Sequence, residues 1–130
     1  MCYSDYNLYT LPTIHFVGGE TQDFLYNIYF YKNGRAVSLS SCSANFSVIS
    51  YANRRGAPVI SKTMEILYNE EAGVDNILKV TLDPSDTLEL SGKFIYQIII
   101  KDVGGDAEIP KQGIIYISNN INKNFLQATV

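Results

Sequence analysis

The segment Gly92–Asp102, Gly-Lys-Phe-Ile-Tyr-Gln-Ile-Ile-Ile-Lys-Asp, constrains the fold of this chain more than any other. Every second residue from Phe94 to Ile100 is apolar, which is the period of a β-strand with one buried face. The residues between them are half apolar and half polar. Gly104-Gly105 follows, and then the apolar run Gly113–Ile117. We therefore predict a β-hairpin in the core, with Gly92 leading into its first strand.

Further short segments alternate in the same way or are apolar between turn residues. The strands predicted from them are Thr13–Val17, Asp23–Tyr31, Ala36–Leu39, Ala44–Tyr51, Pro58–Leu67 and Ile77–Leu82. Asn33-Gly34 predicts the tight turn of a hairpin, and Thr87–Leu90 predicts one helical turn. Strands at intervals of about a dozen residues predict an all-β fold, an immunoglobulin-like antiparallel β-sandwich of about seven to eight strands, with a small barrel as the alternative.

Two flanking segments differ in composition from the predicted sandwich, which we place at residues 12–118. Residues 1–11 form a predicted N-terminal arm with three tyrosines, and residues 119–130 form a predicted C-terminal arm rich in asparagine. Each arm is too polar to fold alone and too apolar to be an inert linker. We therefore hypothesise that one or both arms become ordered against a neighbouring subunit. The alternative is that they are frayed termini.

Composition and charge limit the partners that the sequence predicts. The chain has 130 residues, ten of them basic, and a net charge of −3, so it lacks the basic surface that nucleic acids and anionic membranes require. Its start has no basic region followed by an apolar stretch, which argues against a signal peptide. Cys2 and Cys42 are too few for a disulfide framework and are predicted to be reduced. We therefore expect assembly in a cytoplasm.

Residues with potential chemical roles are sparse. His15 is the only histidine, which excludes sites that need several. Asp83–Asp86 and Asp102–Asp106 place carboxylates in turns without the ligand spacing of a calcium loop. Arg54-Arg55 is predicted to be a solvated hairpin tip, with contact to an acidic partner as the alternative. We predict no catalytic, cofactor-binding or metal-binding residues, no cofactor and no enzyme activity.

One segment resembles part of the immunoglobulin fold. Leu90–Tyr96 is similar to the Gly-x-Tyr-x-Cys start of strand F in many immunoglobulin-like domains. Phe94 stands where that pattern has its tyrosine, and Tyr96 stands where it has its cysteine. The resemblance is therefore to the general sandwich and does not extend to the disulfide of antibody domains.

A narrower resemblance covers residues 12–118. The segments that carry it are Phe16–Thr21, Phe24–Tyr29, Lys32–Leu39, Gly92–Asp102 and Pro110–Ile117. They resemble the opening strands and the closing hairpin of the N-terminal domain of phage baseplate upper proteins. The resemblance implies a non-enzymatic component of a phage virion, in the tail, the baseplate or the capsid surface. Such a protein would bind other virion proteins and copies of itself, and it would be assembled in the bacterial host cytoplasm.

A second class of function remains open from the sequence. The ten tyrosines offer aromatic faces that can stack on sugars, so a binding module for a glycan or protein of the host surface is the alternative. A membrane or nucleic acid partner is not expected in either case.

Overall fold

Ten strands and two short helices form the regular structure of the computed structural model, which describes residues 13–27, 31–32, 35–36 and 38–127. The elements are β1 Thr13–Val17, β2 Gln22–Asn27, β3 Tyr31–Lys32, β4 Arg35–Ala36, β5 Ser43–Ser50, β6 Ile60–Thr63, β7 Glu65–Asn69, β8 Val74–Leu82, α1 Pro84–Thr87, β9 Gly92–Lys101, β10 Ala107–Ser118 and α2 Lys123–Gln127. The predicted N-terminal arm and the predicted Asn33-Gly34 turn lie outside the described residues. On either side of that turn, β3 and β4 pair antiparallel.

Two sheets contain eight of these strands. One sheet has five strands in the order β1-β10-β9-β5-β6, and the other has three in the order β2-β8-β7. The prediction of an all-β, immunoglobulin-like sandwich is thereby confirmed. One strand pair differs from an entirely antiparallel arrangement, because β1 runs parallel to β10 from the pair Thr13–Ile114 to the pair Val17–Ser118. These strands come from opposite ends of the chain, so no tight hairpin forces them to be antiparallel.

The core lies between the two sheets and follows the alternation of the sequence. On β9 the residues Phe94, Tyr96, Ile98 and Ile100 are buried as predicted, and on β8 so are Leu78, Val80 and Leu82. Rings from both sheets stack through the centre: the Phe24 and Phe46 centroids are 5.4 Å apart, and those of Phe46 and Tyr96 are 5.6 Å apart. The predicted core hairpin is confirmed, because β9 and β10 pair antiparallel along most of their length.

The predicted strand Pro58–Leu67 is wrong, because the structure divides it between the two sheets. β6 pairs with β5 in the five-stranded sheet, whereas β7 pairs with β8 in the three-stranded sheet. Met64 lies at the crossing and is 3% exposed. Its apolar side chain continues the alternation of both strands, and no glycine or proline separates them, so the sequence contains no turn signal at the point where the chain changes sheets.

The single helical turn begins earlier than the predicted Thr87–Leu90 segment. α1 covers Pro84–Thr87 and has proline at its first position. Proline has no backbone N–H, and at this position an N–H would have no hydrogen-bond acceptor within the helix. The backbone N–H of Asp83 donates to the Asp86 carboxylate over 2.7 Å, which closes the start of the helix. The polar residues that end β8 therefore also begin α1.

Two predicted strands have different ends in the structure. The predicted Asp23–Tyr31 strand is described as β2 up to Asn27, and residues 28–30 lie outside the described part of the chain. The predicted return strand Ala36–Leu39 is described as strand only at Arg35–Ala36. Leu39 is buried in a loop instead, where its N–H donates to the Asp75 carbonyl over 2.8 Å.

The described part of the C-terminal segment contacts the sandwich of its own chain. The Asn120 side-chain amide donates to the Gly18 carbonyl over 2.7 Å, and Lys123 forms an ion pair with Glu89 at 3.1 Å. These contacts attach α2 to the turn between β1 and β2 and to the end of α1. The division into a sandwich at 12–118 and two arms stays a prediction. Neither helix in the described part of the chain has the length and apolar character needed to cross a membrane.

Candidate interaction face

The solvent side of the five-stranded sheet, which we call the front face, combines polar residues with a row of isoleucines and a groove. Its residues alternate along the strands with those of the core and therefore point away from it. The front face comprises His15, Asn45, Ser47, Ile49, Lys93, Ile95, Gln97, Ile99, Lys101, Gln112, Ile114 and Tyr116.

A row of three isoleucines crosses the front face. Ile95 on β9 lies directly opposite Ile114 on β10 and Ile49 on β5. Directly opposed side chains on one face of a sheet contact each other and exclude water from their sides. Accordingly, Ile95 and Ile114 are only 8% and 5% exposed although they lie outside the core. An antiparallel sheet with one solvated face usually has polar residues at such positions, so the isoleucine row departs from that pattern.

A shallow groove of about 390 Å³ runs beside this row. Its lining residues are Ser47, Ile49, Arg54, Pro58, Ile95, Gln97, Ile99 and Gln112. The connection between β5 and β6 supplies one wall through Arg54 and Pro58. On the floor, the Gln112 side-chain nitrogen donates to the Gln97 side-chain oxygen over 3.0 Å. The groove therefore combines aliphatic side chains with two amides whose positions are fixed by each other.

Cations and aromatic rings border one end of the front face. The Lys93 Nζ lies 4.0 Å from the centroid of the Tyr51 ring, and the Arg54 Cζ lies 4.3 Å from it. His15 stacks on Tyr116, with centroids 5.1 Å apart and an interplanar angle of 13°. Such cation–π contacts hold the long basic side chains over the rings. Arg54, predicted to be at a solvated tip, is thus attached to the front face.

In the two acidic turns noted in the sequence, aspartate side chains accept hydrogen bonds from backbone N–H groups. At the tip of the β9–β10 hairpin, Asp102 Oδ1 accepts the N–H groups of Gly104 at 2.9 Å and Asp106 at 3.0 Å. This arrangement is the turn-stabilising use of aspartate. No group of three or more His, Cys, Asp or Glu side chains suited to a metal ion occurs among the described residues. Cys42 is a free, half-buried thiol.

The other acidic turn joins the two sheets through one lysine. Lys62 Nζ on β6 lies 2.7 Å from the Asp86 carboxylate and 3.6 Å from the Asp83 carboxylate. It also donates to the Thr81 carbonyl on β8 over 2.8 Å. The hydrogen bond to Asp86 raises the pKa of Lys62 above its ordinary value, although desolvation acts in the opposite direction. These contacts connect opposite sheets, so we assign the cluster a structural role.

Sequence reasoning identified the outward side of β9 as half apolar but did not predict the front face. The isoleucine row becomes visible only when β5, β9 and β10 are aligned in their actual register. A signal was present in the sequence, because Ile49 and Ile114 each lie directly beside core residues of their strands and must therefore point to the other side of the sheet. It could have been read only with the strand order already known.

Comparisons with known proteins add little to this geometry. No family model matches the chain, and no curated protein matches it. Among solved structures, the N-terminal domain of phage TP901-1 ORF48 is similar, with a TM-score of 0.48 and 9% sequence identity over 89% of this chain and 92% of that chain. No function follows from a similarity at this level.

Proposed function

We propose that this protein is a non-enzymatic structural component of a bacteriophage virion, in the tail, the baseplate or the capsid surface. It acts by binding other virion proteins and copies of itself. The observation that carries the proposal is the front face, where the isoleucine row and its groove lie outside the core. The groove presents the half-buried Ile49 and Ile99 beside two amides, and a partly apolar depression on the outside of a domain is a common interaction site.

The groove chemistry supports contact rather than catalysis. Of the residues that line it, Arg54 alone carries a charge at neutral pH. A serine acts as a nucleophile when a neighbouring base takes its proton, and the lining that contains Ser47 includes no histidine, lysine or carboxylate. The isoleucine and glutamine side chains of the groove instead provide area and fixed hydrogen-bonding groups, which are components of a protein interface. The phage setting comes from the resemblance of residues 12–118 to the N-terminal domain of phage baseplate upper proteins.

Binding to a host-surface glycan is the second candidate function. The observation that favours it is Tyr116, which is 38% exposed on the front face and could stack on a sugar ring. His15 stacks on one side of this ring, and the Tyr51 ring contacts Lys93 and Arg54. Assembly uses the whole face, whereas sugar stacking uses this one ring, and we therefore place assembly first.

Incorporation into particles tests the proposal. Phage particles from a host that carries the gene are purified on a density gradient, and the chain is sought by mass spectrometry. We expect the native chain to be present. We expect an Ile99→Asp variant to be depleted, because it puts a charge into the groove. A Val103→Asp variant is the matched control, since Val103 is 87% exposed at the hairpin tip and outside the groove.

Three results would count against the proposal. Absence of the native chain from purified particles would overturn the virion role. Equal incorporation of the two variants would show that the front face is not the surface used for assembly, provided that both variants have the melting temperature of the native chain. Absence from particles together with binding of the purified chain to host glycans would favour the second candidate.

A further inference from the structure

Charges are distributed unequally between the two outer sides of the sandwich. The front face carries Lys93 near the start of β9 and Lys101 at its end, and Arg54 lies with Lys93 over the Tyr51 ring. None of the front-face residues is a carboxylate. Neither of these lysines is among the described ion pairs, which involve Lys62 and Lys123. The front face is therefore positive, although the chain as a whole has a net charge of −3.

The solvent side of the three-stranded sheet, which we call the back face, has the opposite sign. It comprises Asp23, Leu25, Glu65, Leu67, Tyr68, Asp75, Ile77, Lys79 and Thr81. The back face has three carboxylates and one lysine, Lys79. Lys79 lies on β8, between β2 with Asp23 and β7 with Glu65. The adjoining β7–β8 turn adds Glu70 and Glu71. The back face is therefore negative.

Both faces also present apolar side chains beside their charges. On the back face Leu25 is 64% exposed and Tyr68 is 59% exposed, and Leu67 lies opposite Ile77. On the front face the half-buried Ile49 and Ile99 line the groove. Apolar centres bordered by charges of opposite sign are what two surfaces need to dock specifically.

We propose that the front face of one copy of this chain binds the back face of a second copy. This deepens the proposed function and rests on it, because it names the partner and the surface for self-assembly. Front-to-front contact would bring the cations of Lys93, Lys101 and Arg54 against themselves, and back-to-back contact would do the same with carboxylates. Juxtaposed like charges oppose association. Only the front-to-back arrangement pairs unlike charges.

Front-to-back contact is heterologous, because two different surfaces meet. A heterologous contact leaves one free copy of each surface, so it repeats until it closes into a ring or continues as a filament. The two faces lie on opposite sides of one sandwich, so every copy has both surfaces accessible. The proposal therefore predicts assemblies larger than a dimer.

Two charge-reversed variants test the contact in sedimentation velocity experiments. The front variant is Lys93→Glu with Lys101→Glu, and the back variant is Glu65→Lys with Asp75→Lys. We expect the native chain to associate with rising concentration and to dissociate when ionic strength rises from about 0.02 M to about 0.5 M, because salt screens the paired charges. Each variant alone should associate at least about tenfold more weakly than the native chain.

Mixing the two variants gives the decisive result. The front variant has two negative faces. In the back variant the strand residues of the back face carry a net positive charge, and Glu70 and Glu71 remain acidic in the adjoining turn. An equimolar mixture should therefore associate although neither variant does so alone. Asp106→Lys with Glu108→Lys is the matched control, because it makes the same charge change as the back variant at two exposed positions of the β9–β10 hairpin, outside the back face. This control should associate like the native chain.

Specific outcomes would overturn the proposal. A native chain that stays monomeric at every concentration would do so, and so would a back variant that associates like the native chain. Folding of each variant is checked by circular dichroism and melting temperature. A chain that enters particles but never self-associates would overturn the front-to-back contact and leave the virion role intact. Self-association of a chain absent from particles would overturn the virion role alone.

Discussion

The inner and front faces of the five-stranded sheet are both rich in isoleucine, yet different groups cover them. On the inner face, Ile98 and Ile100 are buried against the three-stranded sheet. On the front face, Ile95 and Ile114 are nearly as buried, but they lie opposite each other on β9 and β10 with no second sheet over them among the described residues. Low exposure alone therefore does not identify the core. The opposing layer does, and only the inner face has one.

The largest effect is expected where the two sheets meet. Phe46 is 1% exposed and stacks between Phe24 and Tyr96. Phe46→Ala removes the ring and leaves a cavity, which should lower the free energy of unfolding by about 3–5 kcal/mol. Chemical denaturation followed by circular dichroism measures this change. A loss below about 1 kcal/mol would show that the packing of the two sheets does not depend on this ring. The inner face would then differ from the front face no more in stability than in exposure.

The inner face should also resist added volume. Gly113 lies on β10 opposite Tyr96, and a Cβ at this position would collide with the Tyr96 ring. Tyr96 is 5% exposed, so its ring has little space to move. Gly113→Ala should therefore lower the free energy of unfolding by about 1–3 kcal/mol. Gly104→Ala is the matched control in the exposed hairpin tip and should change it by less than about 0.5 kcal/mol. Equal effects would contradict the close approach.

The lysine that joins the two sheets should make stability depend on alkaline pH. Lys62 has a raised pKa, chiefly because of its hydrogen bond to Asp86. Its contribution is therefore complete below the ordinary value of 10.5 and is lost as pH rises through the higher folded value. Lys62→Met should lower the free energy of unfolding at pH 8 by about 1–2 kcal/mol. The difference between the native chain and the variant should stay constant up to the ordinary value of 10.5 and shrink only above it. A difference that stays constant at every pH would contradict the ion pair.

The sequence predicted most of the fold because its strands alternate over their whole length. β8 and β9 place their apolar residues on the predicted side, and the glycines at 104–105 lie in the predicted hairpin turn. The sheet change at Met64 could not be predicted, because an uninterrupted alternation has the same form in one long strand and in two short ones. The front face could not be predicted either, because it depends on the register of strands that are distant in sequence.

The smallest expected effect is that of Ile99→Ala, which is compared with a change at the adjacent residue of the same strand. Ile98 points into the core and Ile99 points into the front-face groove. Ile98→Ala should lower the free energy of unfolding by about 2–5 kcal/mol. Ile99→Ala should lower it by less than about 1 kcal/mol, because no second sheet in the described part of the chain packs over Ile99 and its truncation therefore leaves no closed cavity. Only Ile99→Ala should weaken self-association, measured by sedimentation at a temperature where both variants are folded. Equal losses of stability would mean that the front face belongs to the core. In that case the isoleucines on the two sides of the sheet would have the same role.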